Sequence, residues 1–270
     1  MRARANETAP ATRLDGEVAA VTGASRGIGR AIARAFADAG AAVALAGRDR
    51  AELESARAEV EARGARSLAA YCDVRDPDSV DAFGDAVREA LGPPTVVVAC
   101  AGVAGPTKPL HELAVSEWEE CVSTDLTGVF LTFRRFIPAM LERGAGSLIA
   151  ISSMTGKRPL AGRSPYAAAK LGVIGLVRTL ALELGPFNIR VNSVCPGGVD
   201  GPRIDLVLEN QARLLGISVD EARRQMTEPA ALKRLVRPEE VASACVFLAS
   251  AAGSGITGED LNVTAGLVMY

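Results

Sequence analysis

The 270-residue sequence predicts one α/β domain: a doubly wound, mostly parallel sheet with helices on both faces. Three observations carry this expectation. Short β-rich runs alternate with longer helical patterns along the chain. The run at 95–99 is almost continuously apolar, as a strand covered on both faces must be. No linker-like or low-complexity stretch divides the alternation, so a single domain over 15–270 is expected. Repeated strand–helix–strand units require right-handed crossovers, which make neighbouring strands parallel.

The segment 1–14 is rich in Arg, Ala and Thr but has no apolar signal core, and it reads as a flexible arm outside the fold. A first strand at 17–21 leads into a helix at 28–39. A second strand at 42–46 is followed by a helix at 50–63, and a third strand falls at 67–71. Asp76 stands where a cap belongs, before a helix at 77–90 that opens on Pro77. After the strand at 95–99, a long helix is expected over 117–142 with Ser116 as its cap. The remaining alternation is strand 147–151, helix 165–184, strand 189–193, helix 238–249 and strand 261–263. Polar, helical sequence at 201–229 interrupts the rhythm and reads as an insertion outside the sheet that covers a ligand.

Composition narrows the function. A formal net charge of −2 gives no basic face for nucleic acid. No apolar run approaches the roughly 20 residues that cross a bilayer. The five cysteines (Cys72, Cys100, Cys121, Cys195 and Cys245) are an odd number without a C-x-x-C pair, which points to a reducing, cytoplasmic setting. The single histidine, His111, has no cluster of ligands around it, so no metal site is expected. Its neighbours Pro109, Leu110 and Leu113 suggest a loop entering a helix, which also disfavours hydrolysis through an imidazole.

Thr22-Gly23-Ala24-Ser25-Arg26-Gly27-Ile28-Gly29 joins the first strand to the first helix. Glycines permit tight turning and close backbone approach, and an open helix N-terminus favours a phosphate. The spacing, G-x-x-x-G-x-G, differs from the common G-x-G-x-x-G fingerprint and lacks the Gly-Lys-Ser/Thr ending of nucleotide hydrolases. A glycine-containing loop that binds nothing is the alternative. The second strand ends Ala46-Gly47-Arg48, with no carboxylate to bond a ribose 2′-hydroxyl and repel a 2′-phosphate. Arg48 and Arg26 suit a 2′-phosphate, so NADP is favoured over NAD, unless both are ordinary surface charges.

Tyr166-Ala-Ala-Ala-Lys170 places a phenol and an ammonium four residues apart, on one face of a helix. A tyrosine is a poor acid–base at neutrality, and a neighbouring positive charge favours its phenolate. Ser153, at the end of a central strand, supplies a hydroxyl that can hold a substrate oxygen.

In order and spacing, Thr22–Gly29, Asp73-Val74, Cys100-Ala101-Gly102, Ser152-Ser153, Tyr166–Lys170 and Pro196-Gly197 resemble the short-chain dehydrogenase/reductase superfamily. The resemblance runs from about Leu14 to the C-terminus. It is closest to the single-domain branch of oxoacyl-carrier-protein reductases and secondary-alcohol dehydrogenases; extended members that modify nucleotide sugars fit less well. It implies a Rossmann-like fold and hydride transfer between NADP(H) and a ketone/secondary alcohol pair. Ser153 would orient the reacting oxygen, Tyr166 would move the proton, and Lys170 would bind the nicotinamide ribose and tune Tyr166. Gly23, Ser25, Arg26, Gly27, Ile28, Gly29, Arg48, Asp73, Val74, Cys100, Ala101 and Gly102 would line the cofactor, with Asp73 and Val74 at the adenine. Pro196, Gly197 and Val199 would flank the nicotinamide. The long helices imply a homotetramer or homodimer.

The sequence departs from the family pattern at several points. Cys100 replaces an asparagine, and a buried structural thiol is the expected role. Asp125, in Thr124-Asp125-Leu126-Thr127-Gly128, stands where relatives carry an asparagine tied to a proton relay. Its charge favours protonated Lys170. Either it keeps the relay with an altered pH dependence, or it disrupts the relay and leaves a cofactor-binding regulatory or scaffold protein. The usual threonine after Pro-Gly is missing; Arg203 compensates for it, contacts substrate, or is a surface charge on the lid. The pocket expected between the segment after Gly102, 154–163 and 201–229 has Lys157, Arg158, Arg163 and Arg203 in or near it. These suit an anionic group or an ordinary charged surface. Trp118 reads as a packing residue.

Overall fold

The structure is a computed structural model that describes residues 11–270. Seven strands form one parallel sheet: β1 (Val18–Thr22), β2 (Ala42–Gly47), β3 (Ser67–Tyr71), β4 (Val96–Ala99), β5 (Gly146–Ile151), β6 (Ile189–Pro196) and β7 (Asp260–Val263), in the order β3-β2-β1-β4-β5-β6-β7. All five residues of β1 and all four of β4 are buried, so these central strands have no polar face to turn to water. The chain order reverses between β1 and β4. Ligands of open parallel sheets bind at such a switch point, beyond the carboxyl ends of the strands. Register puts Thr22 opposite both Ala46 and Ala99, so three strands end together there.

Helices α1 (Gly27–Asp38), α2 (Arg50–Glu61), α3 (Pro77–Ala90), α4 (Val115–Val122), α5 (Gly128–Arg143), α6 (Met154–Lys157), α7 (Ser164–Leu184), α8 (Pro202–Leu215), α9 (Val219–Thr227) and α10 (Pro238–Ala249) connect the strands. One sheet face is covered by α1, α2 and α10 through Phe36, Ile32, Leu53 and Leu248. The other is covered by α3, α5 and α7 through Phe83, Phe133, Phe136 and Val173. Phe83 and Phe136 meet edge-on at 5.9 Å. This is the doubly wound, Rossmann-like arrangement expected, with strictly parallel strands.

Element boundaries agree closely for most of the chain. The helix Pro77–Ala90 has the expected limits, and Asp76 accepts the Asp78 N–H at 3.1 Å as its cap. Two expectations need correction. Ser116 is not a cap: α4 begins at Val115, and the Glu117 carboxylate reaches back to the Ala114 N–H at 2.9 Å, putting Ser116 inside the first turn. Nor is 117–142 one regular helix, because a π-helical turn, Ser123–Thr127, separates α4 from α5. The insertion at 201–229 is the helix pair α8 and α9, parted at Gly216 (φ +66°), with the Ser218 hydroxyl capping α9. Of the expected arm, residues 1–10 lie outside the described residues. Leu14 belongs to the core: it is buried and donates its N–H to Ala39 O. No helix among the described residues is long and apolar enough to cross a membrane.

Candidate active site

The turn after β1 is shaped by what a side chain would strike. Gly23 has φ +69°, and a Cβ there would lie 2.7 Å from Ala101 Cα. A Cβ at Gly29 would stand 2.1 Å from Gly23 O. These two glycines let the turn close on itself and on the Cys100-Ala101-Gly102 segment. Gly27 has φ +55° with open space around it, so its requirement is backbone conformation alone. Thr22 Oγ1 accepts the N–H groups of Cys100 and Ala101 at 3.2 and 3.3 Å, tying the ends of β1 and β4 together. No side chain among the described residues caps α1 behind Arg26, which leaves its first N–H groups without a capping acceptor. Arg26 is exposed, and Ile28 is half-buried behind it.

At the end of β2, Gly47 packs beside Ser25, whose Oγ would lie 3.5 Å from a Cβ there. Arg48 is exposed and reaches within 4.0 Å of Asp73 Oδ2. Arg75, which the sequence reading overlooked, grips the Asp73 carboxylate through Nε and Nη2 at 3.0 and 2.6 Å. These bonds hold the Asp73 carboxyl below the usual carboxylate range. Val74 is buried against Gly128. Ser25, Arg48, Asp73 and Val74 are therefore brought to one rim beyond β2 and β3. The rim carries two cations, Arg48 and Arg75, around one carboxylate.

Tyr166 and Lys170 share a face of α7, with Lys170 Nζ 5.6 Å from the centre of the tyrosine ring. Lys170 is 4% exposed; Nζ donates to Ile151 O at 3.0 Å and meets Asp125 Oδ1 at 3.2 Å. Burial pulls this ammonium's pKa down, but its neighbours, the Asp125 carboxylate first among them, more than offset it, and the pKa ends above the ordinary lysine value. The Ser152 hydroxyl donates to Lys170 O at 2.8 Å, fixing β5 against α7. Ser153 caps the short helix α6, which the sequence did not reveal, by accepting the Thr155 N–H at 3.1 Å.

Asp125 lies in the π-helical turn and is fully buried. The wider turn displaces a backbone segment in mid-helix, a feature that recurs at functional sites. Oδ1 also accepts the Val103 N–H at 3.2 Å, and Oδ2 faces the Cys121 thiol at 3.5 Å. Burial and then Asp125 push that thiol up to about 12. A Cβ at Gly102 would lie 2.3 Å from Asp125 Oδ1, so Gly102 is needed for the carboxylate to approach the loop. The Cys100 thiol is pushed up to about 11 by burial, partly opposed by Arg203 and Lys170; it stays a thiol at neutral pH.

Beyond β6, the Gly197 N–H donates to Val263 O at 2.9 Å, and Val199 forms a bridge with Val236. Arg203, in the first turn of α8, donates to Gly102 O in the loop after β4. One further expectation changes here, and Arg158 follows the surface-charge alternative. Lys157 is withdrawn from the pocket by Asp260, 2.5 Å away. Arg158 is exposed. Trp118 is 39% exposed on α4. Arg163 is buried against Tyr166, a position that nothing in its sequence neighbourhood distinguishes from surface charge.

Comparison with known proteins gives a consistent result. The family model described as enoyl-(acyl carrier protein) reductase matches residues 23–268. The cis-4-hydroxycyclohexanecarboxylate dehydrogenase of Sinomonas cyclohexanicum is 41% identical over 249 residues, 92% of this chain and 95% of that protein. A solved structure of an actinorhodin polyketide ketoreductase variant with NADPH superposes with a TM-score of 0.90 at 38% identity, covering 94% of this chain and 98% of that one. NAD+-bound xylitol dehydrogenase superposes with a TM-score of 0.91 at 28% identity, covering 93% and 99%. The chain belongs to the short-chain dehydrogenase/reductase superfamily. It is an oxidoreductase of that family, whose members use a nicotinamide dinucleotide.

Proposed function

We propose that the protein transfers hydride between NADP(H) and a ketone/secondary alcohol, with Tyr166 as general acid–base. The observation that carries this reading is the buried Lys170 ammonium, fixed between Ile151 O, Asp125 and the ring of Tyr166. The glycine cradle, where side chains at Gly23 or Gly29 would strike backbone, fits a dinucleotide pyrophosphate. The exposed Arg48 and Arg26, with no carboxylate at Gly47, support NADP over NAD.

When bound, the nicotinamide supplies or accepts the hydride. The protein's part is positioning and proton movement. Ser153 Oγ accepts the Thr155 N–H, which leaves its own hydrogen free to bond the substrate oxygen. Tyr166 then donates its hydroxyl proton to that oxygen in reduction and removes it in oxidation. An ammonium has three donors. Lys170 directs one at Ile151 O and one at Asp125, and the third remains for a cofactor ribose. Asp125 keeps Lys170 charged, and we assign it the place of the family asparagine in resupplying protons.

An absorbance assay of reduced nicotinamide against ketones, secondary alcohols and a conjugated enoyl thioester tests this. Ketones are expected to turn over, faster with NADPH than with NADH, and Arg48→Ala should erase much of that preference. Turnover of the enoyl thioester alone, or cofactor binding without turnover, would contradict the reading.

Asp125→Asn is expected to shift the pH–rate profile in a defined direction. With the carboxylate charge gone, burial of Lys170 is opposed by less, so its pKa falls. The alkaline limb governed by Lys170 should move to lower pH. Superimposable profiles for native and variant protein would show that Asp125 has no part in the relay.

The five cysteines are free, which suits a reducing cytoplasm. Exposed Phe130 and Leu141 on α5, and Leu171 and Leu182 on α7, support a homotetramer or homodimer. Sedimentation at micromolar concentration should give an assembled species; monomer alone would refute this.

A further inference from the structure

We infer that the buried guanidinium of Arg163 is the docking point for a carboxylate on the substrate, making the carbonyl substrate an oxo acid and its reduced partner a hydroxy acid. The inference rests on the ketone/alcohol reading of the same site.

Arg163 is 4% exposed and precedes α7 by one residue, three before Tyr166. Its guanidinium carbon lies 4.7 Å from the centre of the tyrosine ring. A guanidinium has five N–H donors in a planar fork. Here Nη1 donates to Thr107 Oγ1 at 3.3 Å, while the buried Nε has no partner among the described residues. Stacking on a ring does not satisfy these donors, because they point outward in the guanidinium plane. No carboxylate among the described residues forms an ion pair with Arg163; the nearby Asp125 is engaged by Lys170. A buried cation is ordinarily paired, because an uncompensated charge in a low-dielectric setting is costly. Burial accordingly pulls the guanidinium pKa below the ordinary arginine value.

The missing partner is thus one negative charge with in-plane acceptors, next to the ring of Tyr166. A carboxylate matches the planar fork. The other cations of the pocket are committed or turned away: Lys157 to Asp260, Lys170 to Asp125, Arg203 to Gly102 O, and Arg158 to solvent. The site is also held in place. Gly162 O accepts the Lys108 N–H at 3.0 Å, and Ala161 O accepts from Gln211 Nε2 at 3.0 Å. The loop before the cleft and α8 therefore clamp the segment leading to Arg163. Such preorganisation lowers the cost of binding.

Levulinate and levulinamide are suitable reacting probes, and benzoate and benzamide a non-reacting pair. With NADPH, levulinate should have the higher kcat/KM, chiefly through KM. Benzoate should inhibit, and benzamide should not. Arg163→Gln is expected to lower the acid-to-amide ratio of kcat/KM about a hundredfold, the scale of losing one side of a buried charged pair. Arg163→Lys should restore part of the ratio. Equal losses for acid and amide would overturn the proposal, leaving Arg163 as a support for Tyr166. So would a native protein that reduces neutral ketones without preferring acids. Calorimetric titration of the NADP complex with benzoate separates the two readings. Arg163-dependent benzoate binding without turnover of any carbonyl would sink the reductase reading and keep the anion site; no benzoate binding would sink the anion site.

Discussion

Tyr166→Phe is expected to reduce turnover by about 10²- to 10⁴-fold, the range for a positioned general acid–base. The phenyl ring keeps the stacking surface toward Arg163 and Lys170, at 4.7 and 5.6 Å, so packing changes little. What is removed is the one hydroxyl on α7 that shares a face with the buried ammonium. The loss should therefore fall on the chemical step. Single-turnover kinetics and fluorescence titration of the reduced cofactor would separate the two quantities. A variant that retained most of the native turnover would mean that the proton comes from another group.

Gly29→Ala should be more damaging than Gly27→Ala in the glycine turn. A methyl group there would stand 2.1 Å from Gly23 O, a backbone atom that no rotamer change can move. Relief requires α1 to shift away from the turn, and the cradle of N–H groups shifts with it. Overpacking of this kind costs about 1–3 kcal/mol; spent on the cradle, that is roughly 5- to 150-fold in cofactor affinity. Gly27→Ala meets no atom within 4 Å and should cost only the strain of a positive φ, about 1–2 kcal/mol. Titration of both variants should rank Gly29→Ala below Gly27→Ala in cofactor affinity. The reverse order would mean that backbone conformation dominates over the close approach.

The fold was legible because its signals are local. Alternating apolar runs mark the strands, and Asp76 before Pro77 sets a helix start. Gly23 and Gly29 are the residue type that their close contacts require. Tyr166 and Lys170 were legible together because helical periodicity places them on one face. The π-helical turn at Ser123–Thr127 was not, because its composition suits an ordinary helix and the displacement is imposed by packing. The same holds for Ser116, which looks like a cap until Glu117 bonds the Ala114 N–H and claims the turn. Asp125 departs visibly from the family pattern in sequence, but its direct ion pair with Lys170 depends on tertiary approach across the Gly102 loop. Charged residues were the least legible. Lys157 and Arg163 look alike in sequence, yet one pairs with Asp260 at the sheet edge and the other is buried with no ion pair among the described residues.

Transfer of deuterium from NADPH labelled at its reactive carbon tests the central claim most directly. With a ketone that the native protein reduces, the label should appear on the former carbonyl carbon, and Tyr166→Phe should suppress that transfer while still binding the cofactor. Reduced product without label, or equal label transfer by Tyr166→Phe, would contradict the assignment of hydride to the cofactor and proton to Tyr166.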